Sequence, residues 1–432
     1  MKNIWMPGKS LSQFDKLCGN VKTDVLIIGG GMAGLLCAYK LGEQGVDYIL
    51  IEKDTIFSGV SGCTTAKITA QHGLIYDKLI RKMGIEYAKQ YYKVNTKAIE
   101  QYSRLCQNID CDFEIRDSYV YSLSDKSRID RELRALQCIG AKASYARELE
   151  IPITVLGAVK FLNQAQFNPT KFASAISKNL NIYENTQALE FDGENIITEN
   201  GRIKAKKIIV ATHFPFINKH GSFFLKMYQH RSYVLGLEGA GDVSGMYVDE
   251  SKEGLSFRSY KNILLLGGGS HRTGKKGGGY GELMAFAKQH YPKARIRYSF
   301  ATQDCMTLDS VPYIGQYSKM TPNLFVATGF NKWGMTSSMV AAQLLCDMVL
   351  EKENAYEHLF SPSRSILRPQ LICNAFETAV NLLTPTTPRC PHLGCALKWN
   401  AQEHSWDCPC HGSRFSENGE LLDNPATGDL KL

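Results

Sequence analysis

The sequence predicts an α/β fold with two larger parts and a small all-β module at the C-terminus. The first observation is a buried strand, a glycine-rich turn, a helix and a second buried strand over residues 23–52, the order of a βαβ unit. The second is an alternating stretch over residues 230–266, which is typical of antiparallel strands. The third is a group of four cysteines beyond residue 389, which marks a separate module after a proline-rich connector.

Each expected element follows from a local pattern. Short apolar runs predict buried strands at residues 23–28, 48–52, 207–212 and 324–328. Apolar residues at helical spacing predict helices at residues 35–44, 78–106, 170–179 and about 335–350. The connector, residues 361–388, carries one short apolar helix near residues 376–383. This helix has enough apolar surface to need a partner.

Length and charge narrow the function classes. The chain has 432 residues, enough for two or three domains. The net charge of +8 comes from scattered bases, which argues against a nucleic-acid footprint. We expect no membrane span and no signal peptide, because the apolar runs are short and the N-terminus lacks a basic region before an apolar one. The nine scattered cysteines then predict reduced thiols and a cytoplasmic protein.

The glycine-rich turn has the spacing of a dinucleotide site. Gly29, Gly31 and Gly34 lie between a predicted strand and a predicted helix. The first glycine permits the tight turn, the second lets the backbone approach a pyrophosphate, and the third lets helix and strand pack closely. Glu52 ends the second strand, where a carboxylate should bind a ribose hydroxyl. The motif predicts a bound dinucleotide but does not distinguish FAD from NAD.

Four further segments decide between these cofactors by resemblance. Residues 58–73, residues 208–212, the D-x-x-P-x-I-G segment at 309–315 and the glycine-rich segment at 329–337 occur in the order of the D-amino-acid oxidase-like (DAO) family of FAD-dependent oxidoreductases. The resemblance implies a Rossmann-type FAD-binding domain with an antiparallel-sheet substrate domain, as in glutathione-reductase-like folds. It implies non-covalent FAD, because the spacing of Cys305 to Asp309 does not match relatives that attach flavin through cysteine. The expected cofactor-binding residues are Gly29, Gly31, Met32, Ala33, Gly34, Glu52, Lys53, Thr64, Thr65, Lys67, Ala211, Gly329, Trp333, Gly334 and Thr336.

The C-terminal cysteines belong to two short motifs. Cys390 and His392 form a C-x-H motif, and Cys408 and His411 form a C-x-x-H motif. Two cysteines and two histidines suit a Rieske [2Fe-2S] centre, in which cysteines hold one iron and histidines the other. The same donors suit tetrahedral zinc. Core thiols and a degenerate module without metal are further alternatives.

The residues around these motifs resemble a Rieske domain. The resemblance implies iron ligation by Cys390, His392, Cys408 and His411, and a disulfide between Cys395 and Cys410 that clamps the loops. It also places the Ser413 hydroxyl near a cluster sulfur. The module departs from the family because the strands that usually precede the first loop are missing. We therefore expect a truncated module that docks on the flavin domain to bury its loops.

These resemblances predict a domain plan. Residues 1–360 form the oxidoreductase, with FAD-binding parts at about 20–80, 165–215 and 300–350 and substrate-domain parts at about 81–164 and 216–299. Residues 361–388 form the linker, and residues 389–432 form the Rieske module.

The combination implies an oxidoreductase of a small amine or amino-acid-type substrate that passes electrons from FAD to the cluster. Alternatives are a hydroxy-acid dehydrogenase, an electron-transfer or redox-sensing protein without turnover, and a Rieske oxygenase, for which no mononuclear iron site is visible. The partners expected are the substrate and a one-electron acceptor protein or quinone. Candidate catalytic residues are Arg258, as a carboxylate anchor, His271 and Lys332, and His72 is expected near the flavin.

Overall fold

The computed structural model describes residues 3–5, 11, 13–252, 254–385 and 388–431 of the chain. Its strands are, in chain order, β1 (Val21–Ile28), β2 (Tyr48–Ile51), β3 (Lys67–Ile68), β4 (Glu114–Ser122), β5 (Ala143–Ala146), β6 (Gly157–Gln166), β7 (Ile182–Tyr183), β8 (Ala188–Phe191), β9 (Asn195–Thr198), β10 (Gly201–Val210), β11 (Met227–Glu238), β12 (Met246–Asp249), β13 (Ser256–Tyr260), β14 (Ile263–Arg272), β15 (Arg295–Thr307), β16 (Tyr313–Gln316), β17 (Leu324–Thr328), β18 (Lys398–Asn400), β19 (Ser405–Asp407), β20 (Arg414–Ser416) and β21 (Leu421–Asp423).

The helices occupy the connections between these strands. They are α1 (Met32–Glu43), α2 (Tyr76–Met83), α3 (Ile85–Cys106), α4 (Lys126–Cys138), α5 (Pro169–Ser177), α6 (Phe223–Lys226), α7 (Gly279–His290), α8 (Gly334–Val349), α9 (Glu357–Phe360) and α10 (Pro369–Leu383). Within the described part of the chain, no helix is long and apolar enough to cross a membrane.

The first sheet has the order β16-β17-β10-β1-β2-β7, with β9 and β8 continuing from β10. Strand β1 pairs in parallel with both β10 and β2, as the short apolar runs predict. Helices α1 and α8 pack together against this sheet and bury residues such as Leu35, Leu36 and Leu344. The carboxyl ends of β1, β2 and β10 therefore meet at one edge, where open α/β sheets bind ligands.

The second sheet has the order β15-β11-β14-β13-β12-β4-β6-β3, with β5 beside β6. Its pairs are antiparallel except that β12 runs parallel to β4. The prediction of antiparallel strands over 230–266 is confirmed, since the strands within this stretch pair with one another only in antiparallel fashion. Strand β15 pairs with β11 along its whole length, so residues 300–307 belong to this sheet and not to the FAD-binding part assigned to them from the sequence.

The helix predicted over residues 78–106 is two helices. Gly84 has φ +90 and separates α2 from α3, because no other residue adopts this backbone as readily. Helix α3 packs on α8, the helix that lies against the first sheet, and the Tyr102 hydroxyl donates to the Met335 carbonyl.

The C-terminal module is a four-stranded antiparallel meander, β18-β19-β20-β21. The connector helix α10 is longer than predicted, since it starts at Pro369. It buries Asn374 and Asn381, while Ile372, Phe376 and Leu383 are 73%, 69% and 83% exposed. The apolar side of this helix, which we expect to need a partner, is exposed in the described part of the chain, because its polar side chains face inward.

Candidate functional site: a cavity lined by both sheets and the C-terminal module

The glycine-rich turn is built as its spacing predicts. Gly29 has φ +111, and a Cβ there would meet the Ala211 carbonyl oxygen at 2.7 Å. A Cβ on Gly34 would meet the Gly29 carbonyl oxygen at 1.9 Å, so the third glycine permits close packing of helix and strand. The Glu52 carboxylate accepts the Gly30 N–H at 2.7 Å. This arrangement leaves the turn open to a pyrophosphate at the start of α1.

A cavity of about 1130 Å³ extends from this turn to the second sheet. It is lined by thirteen of the fifteen expected cofactor-binding residues: Gly29, Gly31, Met32, Ala33, Glu52, Lys53, Thr64, Thr65, Lys67, Ala211, Gly329, Trp333 and Gly334. Gly34 and Thr336 do not line it. The Thr336 hydroxyl donates to the Thr69 carbonyl and accepts the Thr69 N–H, each at 2.9 Å, so it supports the neighbouring segment instead.

Two residues near the expected flavin position have strongly shifted pKa values. Burial lowers the pKa of His72 to about 3, and its ring stacks on Trp333 with centroids 5.2 Å apart. Both His72 nitrogens are bonded, to the Tyr91 hydroxyl and the Thr69 carbonyl at 2.8 Å, so His72 is a neutral support. Burial and the neighbouring Arg258 lower the pKa of Lys67 to about 7.

Two of the three candidate catalytic residues do not line the cavity. Arg258 is fully buried, and its guanidinium donates to the carbonyls of Thr65 and Ala66. It holds the backbone behind the cavity wall, so the interpretation as a carboxylate anchor is not supported by its position. His271 is bonded to the Tyr233 hydroxyl at 3.0 Å and to the Arg272 carbonyl at 2.9 Å.

Lys332 is the candidate that lines the cavity, and its ammonium donates to the Lys252 carbonyl at 3.1 Å. Lys78, Lys252 and Asp304 also line it and were not identified from the sequence. Burial raises the pKa of Asp304 to about 6, although Lys332 and Arg231 oppose the shift. No motif marks Asp304, because its place in the cavity wall depends on the pairing of β15 with the distant strand β11.

The two cysteine–histidine motifs form matching loops. In the first loop the Cys390 N–H donates to the Cys395 carbonyl and the Gly394 N–H to the Cys390 carbonyl, both at 2.9 Å. In the second, the Cys408 N–H donates to the Ser413 carbonyl and the Gly412 N–H to the Cys408 carbonyl, again at 2.9 Å. Both glycines have left-handed φ values, which lets each loop turn sharply.

The predicted iron ligands converge in this module. The rings of His392 and His411 lie 5.0 Å apart, and the Nδ1 atom of each is buried without a hydrogen-bond partner in the described structure. Burial lowers the pKa of His392 to about 4, which keeps its imidazole in the neutral form that binds metal. A hydrogen bond from Cys390 lowers the pKa of Cys408 well below its usual value. Two thiols and two unpartnered imidazole nitrogens fit a Rieske cluster.

Cys395 and Cys410 lie beside this donor set. Both are buried free thiols in this structure, and their Sγ atoms and that of Cys408 lie within 4.8 Å of one another. A disulfide between Cys395 and Cys410 stays a prediction.

The module packs on the second sheet through its loops. Arg272 donates to the carbonyls of Pro409 and Cys410 at 3.1 and 3.2 Å. Arg231 forms a buried ion pair with Glu403, each side chain being 5% exposed. The Gln303 amide donates to the Gly412 carbonyl at 2.8 Å. These contacts replace part of the burial that a full-length module would supply for itself.

Two family models match the chain. The model for FAD dependent oxidoreductases (DAO) matches residues 24–348, which is more than half of the chain. The chain belongs to this family. The model for the Rieske [2Fe-2S] domain matches residues 381–432, so FAD and a [2Fe-2S] cluster are its cofactors. The Rieske match begins within α10, earlier than residue 389.

Relatives and solved structures agree with this assignment. The chain is 35% identical to the Rieske 2Fe-2S iron-sulfur protein YhfW of Bacillus subtilis (strain 168), with 100% of this chain and 97% of YhfW covered. The fold of this chain is similar to that of glycine oxidase from Geobacillus kaustophilus, with a TM-score of 0.67 and 20% identity over 80% of this chain and 99% of glycine oxidase. L-proline dehydrogenase from P. horikoshii also has a TM-score of 0.67, with 16% identity over 81% and 98%. At these identities the two structures establish the fold alone.

Proposed function

We propose that this DAO-family protein oxidises a small amine or amino-acid-type substrate by hydride transfer to FAD and passes the electrons to its Rieske cluster. The observation that carries the proposal is the position of Gln303. Its strand, β15, lines the cavity, and its amide binds the carbonyl of Gly412, the residue after the cluster ligand His411. Gln303 therefore connects the cavity wall to the loop of the predicted ligands Cys408 and His411.

The charges at one end of the cavity support an anionic substrate. Lys78, Lys252 and Lys332 all line it, Lys252 at an exposed position, and cations that share a cavity wall attract a carboxylate. The Lys78 ammonium donates to the Ser310 hydroxyl at 2.8 Å, and the Lys252 ammonium to the Tyr228 hydroxyl at 3.1 Å. These bonds orient the two ammonium groups and leave each with further donors.

The reaction requires a hydride acceptor, a proton acceptor and an electron exit. A bound FAD supplies a two-electron acceptor, and a bound cluster supplies a one-electron carrier. The substrate loses a hydride from the carbon that carries nitrogen and a proton from the nitrogen, and water hydrolyses the imine to a carbonyl compound and ammonia. The Asp304 carboxylate lines the cavity and takes the proton. The electrons leave singly to a protein or a quinone.

Anaerobic titration of the purified holoprotein tests this function. We expect an amine or amino acid to bleach the flavin absorbance and to generate the electron paramagnetic resonance signal of the reduced cluster. Reduction by hydroxy acids and not by amines would contradict the proposed donor class and support a hydroxy-acid dehydrogenase. Failure of all donors to reduce the flavin would support an electron-transfer or redox-sensing protein.

A variant pair tests the anionic end of the cavity. Lys252→Met should raise the KM of a carboxylate-bearing substrate about tenfold, because a charge-assisted hydrogen bond contributes about 1.5–3 kcal/mol. Lys319→Met, in an exposed turn, is the matched control. Equal KM values for the two variants would contradict a carboxylate at this position.

A further inference from the structure

We propose that the C-terminal segment Leu421–Thr427 of the Rieske module is part of the FAD site, where it closes the cleft and slows release of the cofactor. The segment belongs to the iron–sulfur module by sequence. Its residues nevertheless line the same cavity as the glycine-rich turn. These residues are Leu421, Leu422, Asp423, Asn424, Ala426 and Thr427. The proposal concerns retention of FAD and does not depend on which substrate is oxidised.

Asn424 ties the segment to the carboxyl end of β10. Its side-chain amide donates to the carbonyls of Thr212 and Phe214, both at 2.7 Å. Thr212 and the intervening His213 line the cavity, directly after the predicted FAD-binding residue Ala211. Since His213 has a left-handed φ of 66, this loop needs contacts that hold it in place. Asn424 supplies two of them.

A further hydrogen bond holds the C-terminal end of the segment, at Thr427. The Gln187 amide donates to the Thr427 carbonyl at 3.1 Å, and Gln187 lines the cavity between β7 and β8. The segment is thus bonded to the first-sheet side at its middle, through Asn424, and at its C-terminal end, through Thr427, and Ala426 between these bonds lines the cavity. A bound FAD can leave past this segment only after some of these bonds break.

The same segment is bonded to the second cluster loop. The Ala426 N–H donates to the Ser413 hydroxyl at 3.0 Å, and the Ser413 carbonyl accepts the Cys408 N–H at 2.9 Å. Opening the segment therefore removes support from the loop that holds Cys408 and His411. Because coupling between two binding sites is reciprocal, FAD should stabilise the cluster by the same factor as the cluster stabilises FAD.

The test uses the full chain with its cluster, stripped of FAD and titrated with FAD. Asn424→Ala should weaken FAD binding about tenfold and speed its release, because two partly buried hydrogen bonds are lost. Asn418→Ala, in an exposed turn of the same module, is the matched control and should bind FAD as the wild type does. Flavin fluorescence gives the dissociation constant and the release rate, and the visible circular dichroism of the cluster confirms that the module is folded.

A second variant and a reciprocal measurement test the proposal even if Asn424→Ala fails to fold. Gln187→Ala removes the other bond from the flavin side and should change FAD release in the same direction. In the wild type, FAD should slow the loss of iron to a chelator, and in Asn424→Ala this protection should shrink. Equal FAD affinity and release in Asn424→Ala and Asn418→Ala, or iron loss that is independent of FAD, would overturn the proposal.

Discussion

The side-chain amide of Gln303 donates to the carbonyl of Gly412 at 2.8 Å, across the boundary between the flavin domain and the Rieske module. Gln303 is 1% exposed, and its own carbonyl oxygen accepts the Thr273 hydroxyl at 2.9 Å. A Cβ on Gly412 would lie 2.5 Å from the Gln229 Cβ, so the loop approaches the sheet as closely as glycine allows. The contact connects the cavity wall to the residue that follows the predicted cluster ligand His411.

Gln303→Leu should slow electron transfer from reduced flavin to the cluster severalfold, because it keeps the volume but removes a hydrogen bond of about 1 kcal/mol that sets the distance. Stopped-flow absorbance of the two cofactors, after rapid mixing with substrate, measures this step. Gln316→Leu, on an exposed strand position, is the control. Transfer at the wild-type rate in Gln303→Leu would show that the electrons take another route.

His392→Cys should lower the reduction potential of the cluster, because imidazole ligands keep a Rieske centre high relative to all-thiolate clusters. His404→Cys is the control, since His404 is exposed in the same module. Potentiometric titration measures the shift. Metal analysis of the wild type should give iron and acid-labile sulfide in equal amounts, and zinc without sulfide would contradict the cluster assignment.

Glu52→Arg should abolish FAD binding, because it replaces the carboxylate that orients the glycine-rich turn with a bulky cation at the expected ribose position. Glu43→Arg, at the exposed end of α1, should retain FAD. The flavin content of the purified proteins and the identity of the acid-released cofactor decide this prediction. Release of a nicotinamide cofactor from the wild type would contradict it.

The Arg231–Glu403 pair makes docking of the module sensitive to acid. Burial alone would raise the pKa of Glu403, but Arg231 and Arg414 outweigh it and hold the pKa below its usual value. The pair thus contributes stability above about pH 4.3, the usual Glu value, and loses it as pH falls through the lower pKa in the folded state. Glu403→Gln should cost about 3 kcal/mol at pH 7 and remove this acid dependence.

Thermal unfolding of the holoprotein across pH measures that effect. Glu417→Gln is the control, because Glu417 is 70% exposed and its partner His404 is exposed as well. If Glu403→Gln unfolds with the wild-type midpoint and pH profile, the ion pair does not hold the module in place.

The parts of this fold that depend on local backbone geometry could be predicted from the sequence. Gly29 and Gly34 have the geometry their spacing implies, and the four predicted ligands of the cluster lie in loops that their glycines make possible. Contacts between distant segments could not be predicted. Arg258 has the chemistry of a substrate anchor, yet it binds the backbone of Thr65 and Ala66, nearly two hundred residues away. The burial of Asn374 and Asn381 in α10 could not be predicted for the same reason, because Arg272 donates to the Asn374 side chain and the Ala396 N–H donates to the Asn381 carbonyl.

Asp304→Asn should slow flavin reduction by substrate about 100-fold, the typical effect of removing a general base. Because burial raises the pKa of Asp304 to about 6, the carboxylate is the base above this pH and is protonated below it. The wild-type rate of flavin reduction should therefore fall about tenfold for each pH unit below about 6. Asp304→Asn should lack this inflection, and Asp242→Asn, at an exposed position, should keep it. Anaerobic stopped-flow measurement of flavin bleaching across pH tests the assignment. An inflection that persists in Asp304→Asn would show that another group accepts the substrate proton.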